Sequence, residues 1–168
     1  IFDVSKATSG NLDLKQKQID FPRLVQQTLA DMQERIEASG YVLKVNITDE
    51  PTYILADGDK LYRVLQNLII NALQYSLPGS RIFVDFHKKE AEAIFTIKNT
   101  SKYEMDFCGE DMMERFVRGD QSRSSEGSGL GLAIAKSFID ANGGKFTIDI
   151  DADLFIAKIT FPVMEVAE

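Results

Sequence analysis

The feature that most constrains the fold is the order in which two hydrophobic periods alternate along the chain. Three stretches repeat their apolar residues at helical spacing: Leu24, Val25, Thr28, Leu29, Met32 and Ile36; the run Lys60 to Tyr75; and Leu130 to Ala141. Between and after them, apolar residues fall at every second position. This holds for Val42 to Ile47, Tyr53 to Ala56, the run Ile82, Val84, Phe86, the pair Phe95 and Ile97, and a closing pair of segments, Phe146 to Ile150 and Phe155 to Phe161. Leu12 to Ile19 reads as a further short edge strand. Hairpins and helices interleave without a regular strand–helix–strand rhythm, so the expected class is α+β, a two-layer α/β sandwich.

Local punctuation agrees. Asp20 is expected as an N-cap with Pro22 in the first turn of its helix, which stops before Gly40. Asp57-Gly58-Asp59 caps the second helix, and Pro78-Gly79 turns the chain after it. Glu90 to Glu92 is the turn of one hairpin, Gly143-Gly144 is the C-cap and turn after the third helix, and Pro162 ends the last strand. Glu110 to Phe116 is expected as a short helix, whereas Asn99 to Gly109 has no clear period. Ile1 to Gly10 reads either as the end of a longer helix or as a frayed terminus.

The 168 residues suit one domain, with 44% hydrophobic and 27% charged residues, ordinary for a globular chain. A net charge of −7 disfavours nonspecific binding to DNA or an anionic membrane, so no nucleic-acid partner is expected. No stretch approaches the roughly 20 apolar residues of a membrane span. The single cysteine, Cys108, excludes an internal disulfide, and with one histidine besides, a Cys/His zinc site is not expected. A cytoplasmic domain is the expectation.

Two constellations carry chemistry. Asp120 to Leu132 is a polar, turn-prone run ending in Gly127, Gly129 and Gly131, directly before the third helix. Glycine permits close approach to the backbone, and the first N–H groups of a helix lack intrahelical partners and sit at the positive end of its dipole, which makes a place for phosphate oxygens. Taken alone, such a run is more often a tight connection than a ligand site. The second constellation is Asn67-Leu-Ile-Ile-Asn71-Ala-Leu-Gln-Tyr75. Its two asparagines lie four apart on one helix face, with Arg63 a turn before and Gln74 or Tyr75 a turn after. Buried amides need partners: they cap neighbouring loops, or their oxygens serve as hard ligands for Mg²⁺, which binds largely through waters and phosphates.

As a set these residues carry a resemblance. Asn67-Leu-x-x-Asn71-Ala-x-x-Tyr75-Ser76, then Arg115-Phe116-x-Arg118, then Gly127-Ser128-Gly129-Leu130-Gly131-Leu132 resemble the boxes of the catalytic, ATP-binding domain of sensor histidine kinases, in the superfamily shared with gyrase, heat-shock chaperones and MutL. The match runs from about Phe21 to Pro162. It implies a Bergerat-type sandwich, a mixed sheet packed against three main helices, with ATP and Mg²⁺ as cofactors. Residues 1–12 would then be the tail of a preceding dimerisation helix with its linker, and residues 13–168 the catalytic domain. The resemblance implies that Asn71 binds Mg²⁺ through its amide oxygen and that Asn67 supports the metal or the phosphates. Tyr75 would line the nucleotide pocket. Arg118 would reach the phosphates, Arg123 would be a lid charge or a further phosphate contact, and Gly127 to Gly131 would offer backbone N–H groups. Met113 and Phe116 would anchor the entrance of a lid running from about Gly109 to Ser128.

Two departures from the family pattern matter, at the Asn99 box and at Gln74. Where the family has Asp-x-Gly-x-Gly, with a carboxylate accepting from the adenine amino group, this chain reads Asn99-Thr-Ser101-Lys-Tyr103. Asn99 still offers a carbonyl, but no charge, and Ser101 and Tyr103 replace glycines. Gln74 stands where many members carry a lysine. Asn67 occupies the place of the ATPases' glutamate base and cannot take a proton, which sets an ATPase third among the readings. The only histidine, His87, falls on a strand without an acidic neighbour and reads as structural. The acceptor histidine is therefore expected on a dimerisation domain outside this chain. The first reading is an ATP:protein-histidine phosphotransferase domain, serving a response regulator indirectly, monomeric alone and dimeric in a membrane-anchored parent. The second is a degenerate nucleotide-binding or interaction module without kinase activity.

Overall fold

Period-2 segments pair as the alternation requires, and the computed structural model describes residues 14–104 and 128–165. In chain order the elements are β1 (Lys17–Asp20), α1 (Phe21–Asp31), α2 (Gln33–Ser39), β2 (Val42–Ile47), β3 (Tyr53–Ala56), α3 (Gly58–Tyr75), β4 (Arg81–Lys89), β5 (Glu92–Thr100), α4 (Ser128–Ala141), β6 (Lys145–Asp151) and β7 (Leu154–Pro162). Five strands form one sheet in the order β2-β4-β5-β7-β6, and β1 and β3 form a separate antiparallel pair. β2 runs parallel to β4 while the other pairs are antiparallel, so the sheet is mixed, as the family resemblance implies.

One sheet face carries Ile82, Val84 and Phe86 of β4, Ala93, Phe95 and Ile97 of β5, and Phe155, Ala157, Ile159 and Phe161 of β7, all buried. The helices cover that face. Phe21, at the start of α1, is fully buried with its ring 5.1 Å from Phe86, 5.8 Å from Phe161 and 6.4 Å from Phe95, so one side chain spans three strands. The first two contacts are edge-on, the geometry that aromatic quadrupoles prefer. Burying a side chain of this size contributes about 1.5–3 kcal/mol.

Four local expectations are corrected. The single helix expected up to Gly40 is interrupted at Met32, where the N–H reaches both the Thr28 and the Leu29 carbonyls. Thr28 is buried, and its hydroxyl donates to the Leu24 carbonyl at 2.7 Å, a back-bond that bends helices. Asp20 stands at the N-cap position of α1, but its carboxylate makes no cap; it accepts the Thr52 N–H at 3.4 Å, joining the β1 end to the chain before β3. Asp57 does cap α3, accepting the Lys60 N–H at 3.3 Å. That helix begins at Gly58, two residues before the expected Lys60, and α4 begins at Ser128 rather than Leu130. The expected helix Glu110 to Phe116, Cys108 and residues 1–12 lie outside the described residues.

Candidate functional site

α3 and α4 pack side by side on the sheet, and their relative direction decides what they bring together. The Asp57 N–H, at the start of α3, donates to Asn142 Oδ1 at 3.0 Å, just past the end of α4. One turn along, the Lys60 ammonium lies 5.6 Å from the centre of the Phe138 ring. The two helices are therefore antiparallel. Each residue advances the axis by about 1.5 Å, so eleven residues back from Asn142 is about 16 Å, which sets Gly131 level with Leu68 and Ser128 level with Asn71. The glycine-bearing first turn of α4 thus lies beside the half of α3 that carries Asn67, Asn71 and Tyr75.

The face of α3 turned to α4 follows from the same contact. Lys60 points at α4, and Asn67 and Asn71 follow it by seven and eleven residues, on one side of the helix. Leu61, Val64, Leu65, Leu68, Ile69 and Ala72 occupy the core side. Asn67 is exposed and Asn71 half-buried, and neither amide has a hydrogen-bond partner among the described residues. Gln74 continues the stripe, half-buried, with its Oε1 buried and without a partner among the described residues. This stripe offers three amides towards the α4 side and no carboxylate.

The C-terminal end of α3 is stitched to the end of β5. The Leu77 N–H donates to the Thr100 carbonyl at 2.8 Å and the Lys102 N–H to the Tyr75 carbonyl at 2.9 Å. Ser76 is fully buried, its hydroxyl donates to the Ala72 carbonyl at 2.5 Å, and the Tyr41 hydroxyl donates to the Ser76 carbonyl at 2.6 Å. Asn99 lies two residues before Ser101 on the helix-facing side of β5, in line with Phe95 and Ile97, and is only 3% exposed. Its amide has no hydrogen-bond partner among the described residues. Ser101 accepts the Tyr103 N–H on its hydroxyl at 3.0 Å, and the Tyr103 ring stands 6.1 Å from that of Tyr75. Tyr103 is 57% exposed, so it stands at the surface beside Tyr75. Nothing in the sequence pattern singles out this aromatic pair; only the stitch between α3 and β5 makes it.

Asn71, Tyr75 and Asn99, from two separate motifs, thus share one end of the helical layer, with Asn67 one turn earlier on α3. Ser128, Gly129, Leu130 and Gly131 form the first turn of α4 at the level of Asn67 and Asn71. Arg118, Arg123, Gly127 and the lid positions Met113 and Phe116 lie outside the described residues. His87 is exposed on β4, between the core residue Phe86 and the β4–β5 turn, with its side chain on the sheet face away from the helices.

The pattern of the family described as histidine kinase-, DNA gyrase B-, and HSP90-like ATPase matches residues 56–163. The chain belongs to that family. Within it, the chain is a catalytic, ATP-binding domain of the sensor histidine kinase kind. It is 26% identical over 149 residues to the sensor histidine kinase YcbM of Bacillus subtilis, covering 88% of this chain and 48% of that protein. With the sensor histidine kinase WalK of the same organism it shares 36% identity over 119 residues, 68% of this chain and 19% of WalK. The chain therefore spans about half or less of these two curated relatives. The fold matches the catalytic domain of histidine kinase ThkA with a TM-score of 0.75 at 18% identity, over 88% of this chain and 95% of that one. The sandwich, its mixed sheet and its helical layer are those of histidine kinase catalytic domains. The alternative of a degenerate module finds no support in these comparisons. Among the described residues no helix is long and apolar enough to cross a membrane.

Proposed function

We propose that this domain, residues 13–168, holds ATP between α3 and α4 and passes its γ-phosphate to a histidine of a dimerisation domain in the parent kinase. The observation that carries the reading is the antiparallel pairing that sets the glycine-bearing first turn of α4 level with Asn67 and Asn71. The first four N–H groups of a helix have no intrahelical acceptor, so that turn offers donors to phosphate oxygens, and the glycines leave no Cβ in the way. Arg118 and Arg123 are proposed as further phosphate contacts on sequence alone.

The donor set fits Mg²⁺. Among the described residues no three carboxylates, histidines or cysteines cluster into a metal cage. The α3 stripe instead offers the Asn71 amide oxygen, with Asn67 beside it, and a single hard oxygen suits an ion that keeps its waters and arrives on phosphates. Mg²⁺ bound there would neutralise charge on the transferring phosphates. Asn67 cannot accept a proton, so this chain provides no base at that position for an attacking water. A histidine needs none: its neutral imidazole nitrogen attacks the γ-phosphorus while the bond to the bridging oxygen breaks and ADP leaves. His87 is set apart from this chemistry, on the far face of the sheet.

Tyr75 and Asn99 would bound the base end, Tyr75 by its ring and Asn99 by its amide. Residues 1–12 are proposed as the tail of the dimerisation helix. The parent would be a homodimer, anchored in a membrane with this domain on the cytoplasmic side, and would serve a response regulator indirectly. Two measurements test the reading. Calorimetric titration of ATP with and without Mg²⁺ should show metal-dependent binding. Incubation with γ-labelled ATP should leave this chain unlabelled and should label dimerisation helices supplied in trans. Label on the isolated chain, or none on the added helices, would count against it.

A further inference from the structure

We propose that Asn142 is a positioning residue for the nucleotide site, which begins about 16 Å away along α4. By taking the Asp57 N–H it fixes how far α4 is shifted along α3, and hence where the glycine-bearing first turn stands against Asn71. The inference rests on the nucleotide reading above and adds to it a residue that touches no part of the ligand.

The observation is a closed polar joint at the end of the helical layer opposite the site. Asp57, 6% exposed, and Asn142, 9% exposed, meet there. Asn142 Oδ1 accepts the Asp57 N–H at 3.0 Å and Gln16 Nε2 at 3.3 Å, while its Nδ2 donates to the Phe138 carbonyl at 2.7 Å. The Asp57 carboxylate accepts the Lys60 N–H at 3.3 Å and the Lys15 N–H at 3.1 Å. The start of α3, the end of α4 and the chain entering β1 are thus bonded through two side chains.

What the joint adds to the apolar packing is direction. Leu132, Ala133, Ala135, Phe138 and Ile139 of α4 are buried, but apolar burial is non-directional and holds two helices together more firmly than it fixes their shift along the axis. A hydrogen bond weakens steeply with distance and angle, so it fixes that shift. Each helix is a hydrogen-bonded rod, and a shift allowed at Asn142 is carried to Ser128. A misplacement of about 1 Å caused far from the chemistry can cost about a hundredfold in rate. The bonds of Asn142 are separable. Asn142→Ala removes the acceptor. Asn142→Asp keeps an oxygen for the Asp57 N–H, at the positive N-terminal end of α3, and loses only the donor to Phe138.

The test titrates ATP with Mg²⁺ calorimetrically into the 168-residue chain, Asn142→Ala, Asn142→Asp and Gln16→Ala, with the folded fraction of each read by circular dichroism. Asn142→Ala should bind at least about tenfold more weakly while about nine-tenths folded, where unfolding alone accounts for a factor of only about 1.1. Asn142→Asp and Gln16→Ala should stay within about threefold of the unsubstituted chain, since both keep the bond between α3 and α4. A folded Asn142→Ala within that same range overturns the proposal and leaves the nucleotide reading standing. So does an Asn142→Asp weakened as much as Asn142→Ala, because the loss would then follow the Phe138 bond rather than the Asp57 N–H. A folded, unsubstituted chain that binds no ATP overturns the nucleotide reading and this proposal with it. Where Asn142→Ala does not fold, amide exchange in the unsubstituted chain decides. Coupling is reciprocal, so saturating ATP with Mg²⁺ should slow exchange of the Asp57 N–H at least about tenfold, and unchanged exchange overturns the proposal.

Discussion

Replacing Asn142 with alanine should destabilise the domain by about 2–4 kcal/mol, because this one side chain joins three distant parts of the chain. Asn142 directly follows the last residue of α4 and is 9% exposed. Its Nδ2 donates to the Phe138 carbonyl at 2.7 Å, and its Oδ1 accepts from the Asp57 N–H at 3.0 Å and from Gln16 Nε2 at 3.3 Å. The Phe138 carbonyl keeps a second donor, the Asn142 N–H at 3.1 Å, so losing Nδ2 costs only an ordinary bond of about 0.5–1.5 kcal/mol. Gln16 is exposed, and water replaces its lost partner at little cost. The large term is the Asp57 N–H, in a residue that is 6% exposed; left without an acceptor it costs about 1–3 kcal/mol. The assay is urea unfolding followed by circular dichroism, with Gln16→Ala as the control. The control should fall within about 0.5 kcal/mol of the parent. Melting should report the same loss, at about 2–4 °C per kcal/mol for a domain of this size. An Asn142→Ala variant within 0.5 kcal/mol of the parent would refute the claim that this amide holds the α3 start to the α4 end.

Three other outcomes are expected. Asn71→Asp should weaken Mg²⁺-dependent nucleotide binding and phosphotransfer by about ten- to a hundredfold while stability moves by less than about 1 kcal/mol, because on the proposed reading a carboxylate would face the phosphates from a half-buried place; unaltered autophosphorylation in the parent kinase would remove Asn71 from the metal. Gly144→Ala should cost about 1–3 kcal/mol by thermal unfolding, since its Cβ would stand 2.8 Å from the Phe161 ring and 2.9 Å from the Thr160 carbonyl oxygen, and a parent-like melt would show that the β7 end yields. Tyr62 donates its hydroxyl to Asp31 at 2.7 Å, linking α3 to α1, and this hydrogen bond, then burial and the carboxylate charge, raise its pKa above 10.0. The neutral phenol is the form the fold favours, so this contribution is complete below pH 10 and fades as pH rises through the folded value. Tyr62→Phe should therefore lose less stability than the parent between pH 8 and pH 11 in urea titrations, and parallel curves would refute it.

Local periodicity determined much about this protein. The alternating runs became β2 to β7, the helical runs became α1 with α2, α3 and α4, and Gly143-Gly144 closes α4 as expected. Gly143 sits at φ +86°, with the Gly144 N–H on the Ile139 carbonyl at 2.9 Å, because only a residue without a Cβ takes that turn without strain. The motifs around Asn67 and Gly127 were legible for the same reason: each is a short, local pattern of residue types. What the sequence did not determine is which pieces distant in the chain meet. Asn99 opens a stretch without a clear period, yet β5 continues through it to Thr100, because β7 pairs with it residue for residue as far as Leu154. Asp20 caps nothing, because Thr52, far along the chain, takes its carboxylate. β1 joins β3 outside the main sheet, and β2 lies parallel to β4, choices made between strands that carry similar patterns. The proposed site is of this kind. Asn71 and the first turn of α4 are far apart in the chain, and only the antiparallel packing of two apolar helix faces, pinned by Asn142, sets them level.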